Sequence, residues 1–293
     1  MSQALLSALF ARRAFLLTQA SLAGSQAEGF AVTIKQPLTV AIDPGGRKQF
    51  EQDRSLYRFA AGGGLVILKC LDRTVGLVRY RDPGAPSFGD TWTLGSGLSS
   101  SVEEMVKPYL LACREGIEEF IVAGPNGVLI PVFAKSPELT PVAFAAVGSG
   151  RHIRTQAGCG GYLGLDRYQE VEADVVLLPG SSKMTISFEG TEGSSSCEGL
   201  VVVDEGTRGI DLLYAYELNV PYELAELAIY DGEEDRKGAP LNAPVGCLQF
   251  SDDLKCGGNF VTVFQNGGIM ENHPSFNGRM TPPLAAALQS LQG

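Results

Sequence analysis

Apolar residues in this chain fall mostly in short runs bounded by turn-forming residues. GLVILKCL (64–71) and VGLVRY (75–80) are rich in β-branched residues and are separated by Asp72-Arg73, which predicts two strands joined as a hairpin. FIVAG (120–124), GVLIPVFA (127–134) and VAFAAV (142–147) read as further strands, with Pro125-Asn126-Gly127 as a tight turn between the first two. VEADVVLLPG (171–180), KMTISFEG (183–190), GLVVVDEG (199–206) and IDLLYAYEL (210–218) continue the strand pattern, and the glycine-rich stretch 148–165 reads as irregular. Two segments have helical spacing instead. Pro108 suits a first helical turn, so a helix is predicted from near Lys107 through Phe120, with Leu110, Leu111, Ile117 and Ile121 on one side. At the end of the chain, Thr281 with Pro282 predicts a capped helix running through LAAALQSLQ.

The first thirty residues support two readings. Leu5, Leu6, Leu9, Phe10, Leu16 and Leu17 recur at helical spacing, which predicts an amphipathic helix packed on the body or on a second subunit. The same segment carries Arg12 and Arg13 and has no acid before Glu28, the composition of an organellar transit peptide. The expected organisation is residues 1–50 as an N-terminal helix and extension, and 51–293 as one domain. A cytoplasmic location is expected, or an organellar one if the leader is a transit peptide. No run approaches the roughly eighteen apolar residues of a membrane span, so integral membrane association is not expected.

Composition narrows the chemistry. The chain has 293 residues, is 44% hydrophobic and carries a net charge of −10, which argues against broad nucleic-acid binding because phosphate neutralisation needs clustered Lys and Arg. Six scattered cysteines with no CxxC point away from a disulfide framework or zinc ribbon. A zinc site from Cys247, Cys256 and His273 would need uncommon spacing. Histidine-led nucleophilic chemistry would have to use His152 or His273, and neither has a nucleophile motif beside it. The glycine run 62–64 precedes a strand, the reverse of the order in a dinucleotide fingerprint.

The predicted helix 107–120 carries the candidate chemistry. Glu115 lies three and four residues before Glu118 and Glu119, which stacks three carboxylates on one face, with Arg114 placed to pair with Glu118. On a solvated face such residues are merely i,i+4 partners. Sheltered, three like charges repel, and a hard divalent cation such as Mg²⁺ or Mn²⁺ relieves that conflict.

Two strands, the loop RDPGAPSFGD, the stretch TWTLGSG (91–97) and the helix with REGIEE (114–119) together resemble the Nudix hydrolase superfamily, whose signature is GX5EX7REUXEEXGU with U aliphatic. Gly97 and Glu103 match the opening, and Arg114, Glu115, Glu118 and Glu119 the core. Glu103 lies eleven positions before Arg114, three more than in the family; counting back from Arg114 puts the first acid at Val106. Gly116 stands where the family has an aliphatic residue and Ile121 where it has glycine.

The resemblance implies an α+β fold of the α/β/α sandwich type, a mixed sheet flanked by helices, here with extra strands. It implies Mg²⁺ or Mn²⁺ on Glu115, Glu118 and Glu119, Arg114 orienting these acids, and hydrolysis of a nucleoside diphosphate linked to another group. The general base would be one of these glutamates or a residue of the loop Asp231-Gly232-Glu233-Glu234. Trp92, Gly97 and Arg79 would contact the small-molecule nucleotide, with Trp92 either stacking on a base or anchoring the loop. The alternative is a Nudix-like fold kept as a nucleotide-binding or protein-interaction module without catalysis. A homodimer is compatible with either.

Overall fold

The computed structural model describes residues 14–41, 55–84, 88–149, 167–232, 242–251, 255–271 and 278–292. It opens with an antiparallel hairpin of β1 (Ala14–Ser25) and β2 (Gly29–Ala41). Strands β3 (Tyr57–Lys69) and β4 (Thr74–Arg81) form the hairpin predicted around Asp72-Arg73. Short strands β5 (Thr91–Thr93) and β6 (Gly95–Leu98) lead into helices α1 (Val102–Val106) and α2 (Pro108–Glu119). β7 (Phe120–Gly124) and β8 (Gly127–Phe133) follow, joined by the predicted turn, in which Gly127 has φ +127°, a value that favours glycine. Next come α3 (Leu139–Ser149), β9 (Tyr168–Val176), β10 (Ser182–Phe188), β11 (Ser194–Asp204) and β12 (Gly209–Asn219). The chain closes with β13 (Ala228–Asp231), β14 (Val245–Phe250), β15 (Cys256–Gln265), β16 (Gly268–Ile269) and α4 (Pro282–Ser290).

Among the described residues these strands join in one 16-stranded mixed sheet, organised about β3. One edge of β3 pairs in parallel with β12 from Arg58 to Lys69. Its other edge is shared in succession: β1 takes Tyr57–Phe59, β6 takes Ala61–Gly64 and β4 takes Val66–Lys69. Because β12 also continues through β11, β10, β2 and β1 back to β3, six strands close into a ring. Alternate residues of these strands, including Val32, Ile34, Met184, Ile186, Ile210 and Leu212, are buried in a single cluster together with Met105 of α1 and Ala112 of α2. Closure removes exposed strand edges in this part of the sheet.

Successive residues of β3 serve opposite faces. Val66 and Leu68 join the cluster that packs α2 and α3 against β4, β7, β8, β9 and β12, whereas Leu65 and Ile67 join the cluster under α4. The glycine run of β3 lets α2 lie close: a Cβ on Gly64 would be 2.7 Å from the carbonyl oxygen of Ala112, and one on Gly62 would be 3.1 Å from Leu111.

Three expectations are corrected. An α/β/α sandwich does not form, because the long strands of 14–41 and 182–219 close a ring with β3, and strands predominate over helices. The N-terminal helix is replaced by strand over the described part of that segment, from Ala14; residues 1–13 lie outside the described residues. The cause is tertiary: Thr18 and Ala20 of β1 are buried, and register pairing with β2 and β3 outweighs a leucine spacing too short to specify a helix. VAFAAV is part of α3 rather than a strand. Leu139, Val142, Ala143 and Ala146 are buried at the i, i+3, i+4, i+7 interval of one helical face, which a short apolar run conceals. Among the described residues no helix is long and apolar enough to cross a membrane.

Two measurements check this packing. Gly64→Ala is expected to destabilise by about 1–3 kcal/mol in urea unfolding, through overpacking against the α2 backbone; an unchanged midpoint would refute the close approach. Asp211 of β12 has its carboxyl pushed up to about 6 by burial, with Asp204 adding to the shift and Arg58 opposing it. A carboxyl whose pKa is higher folded than unfolded favours the fold below its ordinary value and loses that contribution as pH rises through about 6. Asp211→Asn is therefore expected to melt above the wild type at pH 8, with the difference shrinking toward pH 4.

Candidate functional site

The acids of REGIEE are arranged around two arginines, Arg114, which is partly buried, and Arg79, which is buried. Helix α2 starts at Pro108, as its ring and missing N–H favour, and its first turn follows directly on α1. α1 and the junction at Lys107 fill the stretch between Ser101 and Pro108. Ser101 caps α1 by accepting from the Glu104 N–H at 3.2 Å.

Arg114 is the hub. Its Nε donates to Glu104 Oε1 at 2.7 Å and its Nη2 to the Leu98 carbonyl at 3.1 Å. Its Nη1 meets both Glu115 Oε1 at 2.6 Å and Glu118 Oε2 at 3.0 Å. Burial opposes the charge on this guanidinium, but Glu115, Glu118 and Glu104 more than offset it and push its pKa above the ordinary value, so it stays protonated at any working pH. The serine-rich loop completes the arrangement. Ser100 donates to Glu104 Oε2 from its N–H at 2.6 Å and from its hydroxyl at 3.0 Å.

Glu104 is the residue that sequence reasoning missed. Glu103 fits the G-x5-E spacing, yet its side chain is exposed and pairs with Lys107 at 3.3 Å. Glu104 is buried on the side of α1 that faces Arg114. The available signal was the phase of α1: once a short helix begins at the Ser101 cap, Glu104 and Met105 are its inward positions.

Glu119 is held apart from the other two acids. Its Oε1 lies 3.5 Å from Nη2 of Arg79, and its Oε2 accepts from the Ser96 N–H at 3.1 Å. Arg79, on β4 and 2% exposed, also places Nε 3.6 Å from Asp231 Oδ1. Asp231 Oδ2 in turn accepts from the Ala243 N–H at 2.8 Å. The loop expected to supply a base therefore enters the site through Asp231, while Glu233 and Glu234 lie outside the described residues.

The remaining expected contacts are structural. Trp92 is fully buried, with its ring 4.5 Å from Phe260 and 5.3 Å from Tyr80, which leaves no face for a nucleobase and gives it the anchoring role. Its backbone bonds to Arg279 and Thr281, and the Thr281 hydroxyl contacts Thr93 at 3.1 Å instead of capping α4. Arg79 is committed to carboxylates rather than presented to solvent. Gly97 makes room: a Cβ there would lie 2.3 Å from the Glu115 carboxyl carbon. A Cβ on Gly116 would lie 2.7 Å from the Tyr216 ring, and one on Gly95 2.8 Å from the Gly116 Cα.

Among the described residues no group of three or more His, Cys, Asp or Glu side chains is placed to hold a metal ion. Glu115 Oε1 and Glu118 Oε2 instead converge on Nη1 of Arg114. Cys247 and Cys256 fall in different core clusters, and His152, Cys159 and His273 lie outside the described residues. Burial raises the thiols of Cys113 and Cys247 well above their ordinary pKa, which makes neither a nucleophile.

Glu104→Gln is expected to cost about 1–3 kcal/mol, because it removes the charge opposite a partly buried guanidinium, whereas Glu103→Gln stays within about 0.5 kcal/mol as a solvated surface change. Chemical denaturation of both variants measures this, and equal effects would contradict the assignment of Glu104. Comparison of the chain with protein-family models, curated proteins and solved structures finds no match.

Proposed function

We propose that the chain is a divergent Nudix-type hydrolase of a nucleoside diphosphate linked to another moiety. The observation that carries this reading is the meeting of Glu115 and Glu118 at a single nitrogen of Arg114, in the order of residue types in which the sequence resembles that superfamily. Glu115 and Glu118 would hold Mg²⁺ or Mn²⁺. Such an ion supplies charge neutralisation on the diphosphate and lowers the pKa of bound water.

The chain's own residues do the positioning. Arg114 would hold the two carboxylates together at one nitrogen, and Glu104 with the Leu98 carbonyl fixes Arg114. A glutamate of this cluster would accept the proton of the attacking water. The clamp of Glu104, Arg114 and Glu118 also suits the second reading, a nucleotide-binding or interaction module in which these charges serve only the fold.

A panel of nucleotide sugars, dinucleotides and nucleoside triphosphates assayed with Mn²⁺ or Mg²⁺ separates the two. Hydrolysis of at least one class is expected, and Glu118→Gln removes it. With Mn²⁺ about 100-fold above its dissociation constant, the ion is expected to stabilise the fold by about 2.7 kcal/mol. A metal-independent melt and no product from any member of the panel would leave the binding-module reading.

A further inference from the structure

We propose that Asp211 makes the closure of the six-stranded ring proton-sensitive: the seam between β3 and β12 is held shut when its carboxyl is protonated and loosens when it is ionised. The seam is irregular at this point. From Arg58 to Ala61 β3 takes three steps while β12 takes two, from Gly209 to Asp211, so the parallel register shifts. An extra residue of this kind disrupts the ladder locally and bends the strand. The other edge of β3 changes partner at the same place, from β1 opposite Tyr57–Phe59 to β6 opposite Ala61–Gly64. β1 is joined to β3 through Thr18, Gln19 and Ala20, so its hold on the ring depends on this part of β3 keeping its place.

Ile210 and Leu212 of β12 belong to the ring interior, so Asp211 between them lies on the outer face with Leu213 and Ala215, the face that α4 covers. It stands opposite Val202 of β11 and Ala61 of β3, and the charges that bear on it are Asp204, at the end of β11, and Arg58 of β3. Neither α4 nor β6 brings an ionisable side chain. Glu205 and Arg208, the other charges of the β11–β12 turn, pair with each other, and both meet Tyr57: Arg208 lies 3.8 Å above its ring and Glu205 accepts from its hydroxyl at 2.9 Å.

The two aspartates are served unequally. Asp204 accepts from the Gly206 N–H at 2.9 Å, the Thr207 N–H at 3.3 Å and the Thr207 hydroxyl at 2.6 Å. Burial works against its charge, but these donors, helped by Arg58, bring its pKa below the ordinary value, so it is ionised at neutral pH. Asp211 has no hydrogen-bond donor among the described residues. Arg58 gives it limited relief, since Nε and Nη2 both donate to the Thr207 carbonyl, at 3.2 and 2.5 Å. Burial, and then the fixed charge of Asp204, push the Asp211 carboxyl up to about 6. The closed seam is therefore favoured below the ordinary carboxylate range and loses that advantage as pH rises through about 6. Ionised, Asp211 sets two like charges beside the register shift, and opening the seam lets water separate them. Opening there uncovers Ala20, Val32 and Ile34, which line the ring interior.

Hydrogen exchange of the whole protein, followed by mass spectrometry and corrected for the intrinsic pH dependence of exchange, tests this. Peptides covering 57–61 and 209–213 are expected to open about tenfold more often at pH 8 than at pH 5, and at both to exchange faster than peptides of the core strand β4. Asp211→Asn is expected to remove the pH difference, and Asp204→Asn to shrink it. Equal opening at the two pH values in the wild type overturns the proposal, as does a difference that survives in Asp211→Asn. Exchange of these peptides at the same rate as those of β4 overturns it too, because Asp211 is then released only when the whole protein unfolds. Should Asp211→Asn fail to fold, Asp204→Asn decides: an undiminished difference overturns the proposal.

Discussion

The parallel pairing of β3 with β12 is the constraint on which the rest of the molecule depends. It joins residues roughly 150 positions apart, such as Leu65 and Ala215, and belongs at once to the closed ring and to the sheet that packs against α2. Side chains on one face of β3 face α2, and those on the other face α4, so a slip of one residue would exchange the two sets. Gly62 and Gly64 add a second lock, since only one register places them beneath Leu111 and Ala112.

Charge burial shapes the site in the same way that packing shapes the sheet. Five carboxylates and two guanidinium groups meet where α2 runs beside β4, β6 and β13, and an ion left alone in such surroundings would be costly. Each arginine is accordingly met by more than one acid. Gly95 lies close against Gly116, Gly116 leaves room for the Tyr216 ring, and α1 brings Glu104 inward to Arg114.

Local signals were legible in the sequence wherever a residue type has a single physical role. Pro108 marked the start of α2, Asp72-Arg73 and Pro125-Asn126-Gly127 marked turns, and alternation in 171–218 marked strands. Signals failed where tertiary partners decide. Leu16 and Leu17 belong to a strand because β2 lies opposite them, and nothing near them in the chain reports that. VAFAAV is helical because its buried positions lie against α2 and β8, and six apolar residues cannot reveal their period. At the site, the three glutamates were visible but not their separation, because Arg79 lies forty positions away on another strand.

The late position of β12 in the chain has a consequence for biogenesis. When β3 leaves the ribosome its parallel partner has not been made, and at about 5–20 residues per second synthesis of the intervening segment takes roughly 7–30 s. Over that interval the run GLVILK carries apolar side chains on a strand with an unpaired edge, the kind of segment that associates with other chains. The hairpin with β4 covers only part of the other edge. Yield in the cell should therefore depend on how quickly the second half of the protein follows the first.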